Sequence, residues 1–349
     1  MRMGGLMMNP ENNVAVKNDE LPANKETLVE IQHIKKYFPL KGGLLKRTVG
    51  HVKAVDDISL HIIKGETLGV VGESGSGKST LGRVILRLLE PTEGKILFGN
   101  DDISHLNNRK MRDYRKDMQI IFQDPFASLN SKMSVGELIE EPLLVQTSAT
   151  KKERKEKAIE LLEKVGLRAS DRTKYPHEFS GGQRQRISIA RALALNPKFI
   201  ICDEPVSALD VSIQAQVLNL MKDLQDELGL TYLFIAHDLS VVKHISDRVA
   251  VMYLGRIAEL APKNAIYQDP LHPYTKALLT SIPVVDTGDG INNQREKIKL
   301  HGDLPSPANP PSGCTFRTRC PLAHDRCVVE RPELKEISDN HFVACHLHS

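Results

Sequence analysis

The stretch Leu68–Leu81, LGVVGESGSGKSTL, constrains this chain more than any other. Its centre, Gly72-x4-Gly77-Lys78-Ser79, is a complete phosphate-binding loop, set between an apolar run that ends at Val71 and a helical pattern that opens at Lys78. In that setting the glycines let backbone N–H groups turn inward on an anion, and the following helix adds the positive end of its dipole. The lysine supplies a mobile cation for the β- and γ-phosphates, and the serine hydroxyl can ligate magnesium. An ordinary Gly/Ser loop is the alternative, but a chance match in a chain of this size is on the order of one in a hundred even before the flanking strand and helix are considered. A nucleoside triphosphate site on a parallel α/β sheet is the direct implication.

Charge and aromatic content narrow the partners. With 47 basic and 44 acidic residues the net charge is +3, too close to neutrality to argue for nucleic acid, and nine Phe, seven Tyr and no Trp leave no obvious base-stacking surface. The N-terminus, MRMGGLMMNP, lacks an apolar stretch of signal-peptide length, and no run of eighteen apolar residues occurs. The expectation is a chain neither exported nor membrane-spanning, whose membrane role runs through partners. Five cysteines then point to thiols or a metal site instead of a disulfide framework.

Along the chain, Met1–Lys25 reads as a mobile arm, and order begins with the alternating strand Leu28–Ile34. Tyr37 and Phe38 follow, either as a π-face for adenine or as the packed end of that strand, and Lys41–His51 reads as a basic, Gly-containing insertion. Strands are expected at Val55–Ile63, Thr67–Val71 and Met118–Phe122, a helix at Ser79–Leu89, and a hairpin arm at Glu93–Asn100. Met118–Phe122 delivers Gln123 to a loop. From there to about Asn196 the pattern is helical, with Ala158, Leu161, Leu162 and Val165 on one face and Lys151–Lys157 as the solvated start of that helix.

A second glycine-bearing helix start, Ser180-Gly181-Gly182-Gln183, precedes the helix Arg184–Leu195, with Ser180 as N-cap. The apolar strand from Phe199 closes on Asp203 and Glu204. Beside a phosphate loop, one such acid can hold magnesium and the next can orient and deprotonate an attacking water; the alternative is a cap for the following helix. Cys202 reads as a core residue. After the helix Val211–Leu228 comes the buried strand Thr231–Ala236, which ends at His237, where the carboxyl edge of an open sheet gathers ligands.

The ordered set GESGSGKST, Gln123, FSGGQ, FIICDEP, SALD and His237 resembles the ATP-binding subunits of ABC transporters from Leu28 to Leu260. The resemblance implies a three-layer α/β P-loop core with a mainly parallel sheet and an antiparallel β arm. It divides the chain into an arm at 1–26, an ATP-binding domain at 27–260 with a helical subdomain at about 124–196, and a C-terminal extension at 261–349. It also implies roles. Gly72, Ser74, Gly75, Ser76, Gly77, Lys78, Ser79 and Thr80 would bind the phosphates of ATP, with Ser79 and Asp203 on Mg2+. Gln123 would touch the metal or the water and report to the membrane partner, Glu204 would be the general base, and His237 the γ-phosphate switch. Tyr37, with Phe38 in reserve, would stack on adenine. Ser180, Gly181, Gly182 and Gln183 would close on ATP held by an opposing subunit; Phe179 stands where Leu is commoner.

Pro270–Leu279, Ser281–Pro283 and the Pro-rich segment from Pro305 to Cys314 resemble the C-terminal extension of oligopeptide and dipeptide importer ATPases, with Val284–Glu296 as a linker. This implies an ATPase on the cytoplasmic side of the membrane, paired with a second ATP-binding chain as a heterodimer, two transmembrane permeases and an extracytoplasmic solute-binding protein. Nickel, heme precursors or glutathione-like compounds are alternative solutes, and a soluble ATPase of DNA repair or translation is the alternative class. Cys314, Cys320, Cys327 and Cys345 place four thiols in one short Pro-rich segment, spaced C-x5-C-x6-C-x17-C, which matches neither usual ferredoxin run nor a C-x2-C zinc pair; the alternatives are a [4Fe–4S] cluster as in some relatives, zinc with His346 or His348, or a tail without metal.

Overall fold

The computed structural model describes residues 26–42, 47–280 and 302–348. The expected N-terminal arm up to Lys25, the middle of the basic insertion and the linker Val284–Glu296 lie outside the described residues.

Among the described residues twelve strands form two sheets. They are β1 (Thr27–Gly42), β2 (Arg47–Ile63), β3 (Thr67–Val71), β4 (Glu93–Phe98), β5 (Asp101–Asp102) and β6 (Met118–Ile121), then β7 (Phe199–Asp203), β8 (Thr231–Ala236), β9 (Arg248–Tyr253), β10 (Arg256–Pro262), β11 (Lys335–Ser338) and β12 (His341–Val343). The larger sheet has the order β11-β12-β10-β9-β3-β8-β7-β6, parallel from β9 to β6 and antiparallel beyond β9. The smaller, β2-β1-β4-β5, is antiparallel.

Every residue of β3, β7, β8 and β9 is buried, which is why these strands read as unbroken apolar runs. Alternation still sorts their side chains between two cores. Leu68, Val70, Phe199, Ile201, Leu233 and Ile235 pack with the small sheet and the helix Lys78–Ile85. Val71, Ile200, Cys202, Tyr232 and Phe234 pack with the helices Val135–Gln146, Lys151–Lys164, Gly181–Leu193 and Val211–Leu228. The parallel register places Val71 beside Ala236, Ile235 beside Asp203, and Cys202 beside Ile121, so the loops after β3, β8, β7 and β6 leave the sheet at one edge. That edge makes the site.

Several local readings change. The strand read at Leu28–Ile34 runs on to Gly42, and the described flanks of the basic insertion continue the β1–β2 hairpin, with Tyr37 opposite Lys53. Cross-strand hydrogen bonding carries the polar residues that sequence alternation does not. The helix read as Ser79–Leu89 ends at Ile85, where Arg87 turns to positive φ (55°) and its buried guanidinium donates to the Ile103 and Leu106 carbonyls. The charge run at Lys151 does open a helix, capped by Thr150 with Glu153 in a reciprocal capping box.

The C-terminal extension returns to the core. β12 pairs with β10, and the buried Glu259 carboxylate accepts hydrogen bonds from the Leu271 and His272 backbone N–H groups (2.8 and 2.9 Å) and contacts His341 Nε2 at 2.7 Å. Burial alone would raise its pKa; the bonds from His341, Leu271, Thr275 and His272 reverse this and hold it low. Tyr253, Tyr274 and Phe316 meet in an aromatic triad with centroids 4.8 to 5.4 Å apart. The helix Pro273–Thr280 and the turn around Phe316 are thereby seated on the large sheet. Among the described residues no helix is long and apolar enough to cross a membrane.

Candidate active site

The phosphate loop has its shape because two of its positions exclude side chains and a third takes a positive φ. Gly72 (φ 153°) and Gly77 (φ 101°) face backbone carbonyls so closely that a Cβ would lie 2.1 Å from Met252 O and 1.9 Å from Ala54 O, while Gly75 turns at φ 81°. The loop is wedged between β2 and the end of β9. Within it, Lys78 Nζ donates to the carbonyls of Gly72 (2.7 Å) and Glu73 (3.0 Å), with Ser76 Oγ at 3.5 Å. Burial lowers the Lys78 pKa, and the charges of Glu204, Asp203 and Glu73 oppose that shift.

Ser79 Oγ donates to Asp203 Oδ1 at 2.7 Å. The Asp203 pKa is raised, by burial first and with a contribution from Glu204, against the bond from Ser79 and the charges of Arg83 and Lys78. A hydroxyl touching a buried carboxylate is a hard oxygen pair of the kind that magnesium takes, so these residues fit the ion. Glu204 leaves the sheet with φ 49°, its N–H on Ile235 O at 3.0 Å. Such a backbone costs about 1 kcal/mol and turns the residue out at the sheet edge. There Gln123 Nε2 donates to Glu204 Oε2 (3.0 Å), and His237 Nδ1 lies 3.3 Å from the same oxygen. Residues 123, 204 and 237, far apart in sequence, thus meet on one carboxylate.

The other expected residues are placed less centrally. Tyr37 OH donates to Asp56 at 2.5 Å, and Lys53 Nζ stands 5.7 Å from the ring centroid. Burial, then the Asp56 bond, raises its pKa. Its strand partner Lys53 precedes Ala54, whose carbonyl abuts Gly77, so Tyr37 belongs to the strand pair that walls the loop. Ser180 caps the helix Gly181–Leu193 in a reciprocal box with Gln183, and a Cβ on Gly182 would lie 2.5 Å from Ile213 Cγ2. These contacts tie Ser180–Gln183 to the helix Val211–Leu228 and not to the Gly72–Thr80 loop.

The four C-terminal thiols influence one another electrostatically: Cys314 feels Cys327 and Cys345, and Cys320 feels Cys314 and Cys327. Burial raises Cys314, Cys320 and Cys345, while backbone N–H groups of Phe316, Leu322 and Leu347 bond their sulfurs and pull the other way. Yet among the described residues no group of three or more His, Cys, Asp or Glu closes into metal-holding geometry. The expected cluster or zinc finds no support there.

Three comparisons with known proteins bear on the chain. Residues 55–207 match the family model described as ABC transporter, and residues 258–327 match that of the oligopeptide/dipeptide transporter C-terminal region. The oligopeptide transport ATP-binding protein AppF of Bacillus subtilis (strain 168) is 60% identical over 94% of this chain and 99% of its own length. The chain belongs to the ABC transporter family, in its oligopeptide/dipeptide branch. This ABC ATPase is also 55% identical to the putative oligopeptide transport ATP-binding protein YkfD of the same organism, over 92% of the chain and 95% of YkfD. Its fold matches the ATP-binding cassette MJ0796, solved as a dimer in a post-hydrolysis state with ADP and Pi, at a TM-score of 0.60 and 30% identity over 67% of the chain and 98% of MJ0796.

Inspection of the ABC ATPase reveals contacts that its motifs do not announce. Glu73 N–H donates to Tyr274 OH (2.9 Å), and the Glu73 carboxylate takes both NH groups of Arg319 (2.8 and 3.1 Å). Arg319 lies 246 residues further along the chain, so nothing in the local pattern at either end could have joined them.

Proposed function

We propose that this ATPase energises uptake of oligopeptides or dipeptides from the cytoplasmic side of the membrane, as a peripheral subunit. The observation that carries hydrolysis is the meeting of Gln123 and His237 on the Glu204 carboxylate, at the sheet edge that also presents Ser79 and Asp203. The peptide assignment draws on the C-terminal region and on relatives named as oligopeptide transport proteins.

In this reading the N–H groups of Ser74–Thr80 and the Lys78 ammonium bind the ATP phosphates, and Tyr37 meets adenine. Ser79 and Asp203, with Gln123 nearby, would hold magnesium, which would supply neutralisation of phosphate charge. Glu204 takes the proton of the attacking water, Gln123 orients carboxylate and water, and His237 holds Glu204 while reaching toward the γ-phosphate. Ser180, Gly181, Gly182 and Gln183 present a helix start to ATP on a second, different ATP-binding chain; the dimeric state of MJ0796 supports the pairing of two cassettes. Two permeases and an extracytoplasmic binding protein complete the importer. A [4Fe–4S] cluster or zinc, if the chain carries one, would be held by the thiols Cys314, Cys320, Cys327 and Cys345, which would have to close up from their described arrangement. Iron and zinc analysis of anaerobically purified protein tests that assignment, and metal-free protein overturns it.

The decisive experiment is Glu204→Gln in the assembled transporter. Turnover is expected to fall about a thousandfold while ATP stays bound, because the base is lost and the phosphate contacts are not. Unaltered turnover sinks the assignment. An ATPase-active homodimer formed in the presence of the second ATP-binding chain would sink the heterodimer.

A further inference from the structure

The C-terminal extension reaches the phosphate loop itself. Arg319 engages both oxygens of Glu73, the loop's second residue, and is held on a turn in which its N–H donates to Phe316 O at 3.0 Å. Phe316 in turn is packed against Tyr253 and Tyr274, and Tyr274 OH accepts the Glu73 N–H. Leu304 lies 3.8 Å from the position of a Gly75 Cβ, and Pro307 O accepts from Lys53 N–H beside the loop. Four parts of the extension therefore converge on one wall of the loop.

Glu73 is an awkward residue for such a place. A carboxylate one residue from Gly72 sits among groups that are to receive a highly charged anion, and its charge is felt at Lys78. Its carbonyl is also one of the two on which Lys78 Nζ rests. The Arg319 guanidinium is almost wholly buried, and the bond to Glu73 foremost raises its pKa, so it remains charged under all ordinary conditions. A bidentate pair of this kind fixes direction as well as charge.

We infer that Arg319, with Tyr274, is a positioning residue for the nucleotide site: it neutralises the Glu73 carboxylate and pins the first turn of the phosphate loop, so that ATP affinity depends on the C-terminal extension. The inference rests on the reading of Gly72–Thr80 as the ATP site. It gives the extension a task inside this chain, apart from any thiol-bound group.

The test is titration of the full-length chain with a fluorescent ATP analogue and magnesium, together with KM and kcat in the assembled transporter. Arg319→Met is expected to weaken binding about tenfold and raise KM by a similar factor, with kcat within about twofold. Arg319→Lys should recover part of the loss by restoring the charge without the fork. Glu73→Gln/Arg319→Met should return affinity to within about threefold of the wild type, because the offending charge is gone. A merely structural role would leave the double variant as weak as the single. Should Arg319→Met fail to fold, Glu73→Gln alone decides: ATP binding equal to the wild type or tighter upholds the inference, and a tenfold loss overturns it. Unchanged affinity in Arg319→Met overturns the inference alone, whereas absence of ATP binding by the wild-type chain sinks the phosphate-loop reading and the inference with it.

Discussion

Two helices of this ATPase start on glycine, and they are built in opposite ways. The helix Lys78–Ile85 follows a loop enclosed by the chain's own backbone, where glycines at 72 and 77 press on the carbonyls of Met252 and Ala54 and the C-terminal extension closes one side. The helix Gly181–Leu193 starts at an exposed Ser180, capped only by its own Gln183, with Gly182 resting on the side chain of Ile213. The first is a site half finished by its own fold. The second is an exposed helix start, approached by the side chains of Leu209 and Ile213. Backbone neighbours cannot yield to a new side chain, whereas Ile213 can give way by turning about χ1 at a smaller cost, so the two glycine sets should respond differently to substitution.

That difference can be broken by a pair of alanines. Gly77→Ala would drive a Cβ to 1.9 Å from a carbonyl at φ 101°, and ATP binding by the isolated chain is expected to fall about a thousandfold. Gly182→Ala meets only Ile213 Cγ2, so ATP binding by the isolated chain should stay within about twofold while turnover of the transporter drops about tenfold. Equal losses of nucleotide binding in both variants would erase the distinction.

Acid should separate the two ends next. His272, buried beneath the extension, has its pKa pushed down to about 4 from 6.5, by burial first and by His348, against the opposing charge of Glu259. A depressed histidine pKa means that the unfolded chain binds the extra proton. Stability is therefore complete above about 6.5 and is lost as pH falls toward 4, by about 3 kcal/mol in all. Glu259, held below its ordinary value despite burial, adds to the loss once pH drops below its unfolded range near 4.5. Hydrogen exchange followed from pH 7 to 4 should show the extension and the phosphate loop opening before the Gly181–Leu193 helix. Simultaneous opening would count against the extension as the loop's wall.

Ser180→Ala is the smallest effect. Loss of an exposed N-cap costs about 1 kcal/mol of local helix stability, read by exchange at the Gln183 N–H, and leaves ATP affinity of the isolated chain untouched. A change in that affinity would mean that the two helix starts are coupled within one chain.

Much of the site was legible in the sequence because its parts are short and each needs particular atoms. Gly77 admits no Cβ, Ser79 supplies a hydroxyl, and a strand as apolar as Phe199–Cys202 must be buried on both faces, which leaves Asp203 and Glu204 at its end. The β1–β2 hairpin was missed, since Lys41 and Gly42 pair with Thr48 and Arg47 through backbone bonds that are indifferent to side chains. The four cysteines show the opposite case. Four thiols in one short segment raised a metal group although their spacing fits no usual cluster or zinc run, and among the described residues no metal-holding group closes there.

The residues by themselves determined the phosphate loop, the acids, the parallel sheet and the family, all of which follow from local periodicity and from atoms that a phosphate site cannot do without. The tertiary structure alone decided that Gln123 and His237 share one oxygen of Glu204, and that Arg319 reaches Glu73 across 246 positions of chain. Strand register and the packing of Phe316 on two tyrosines set those meetings, and neither quantity is carried by any one segment.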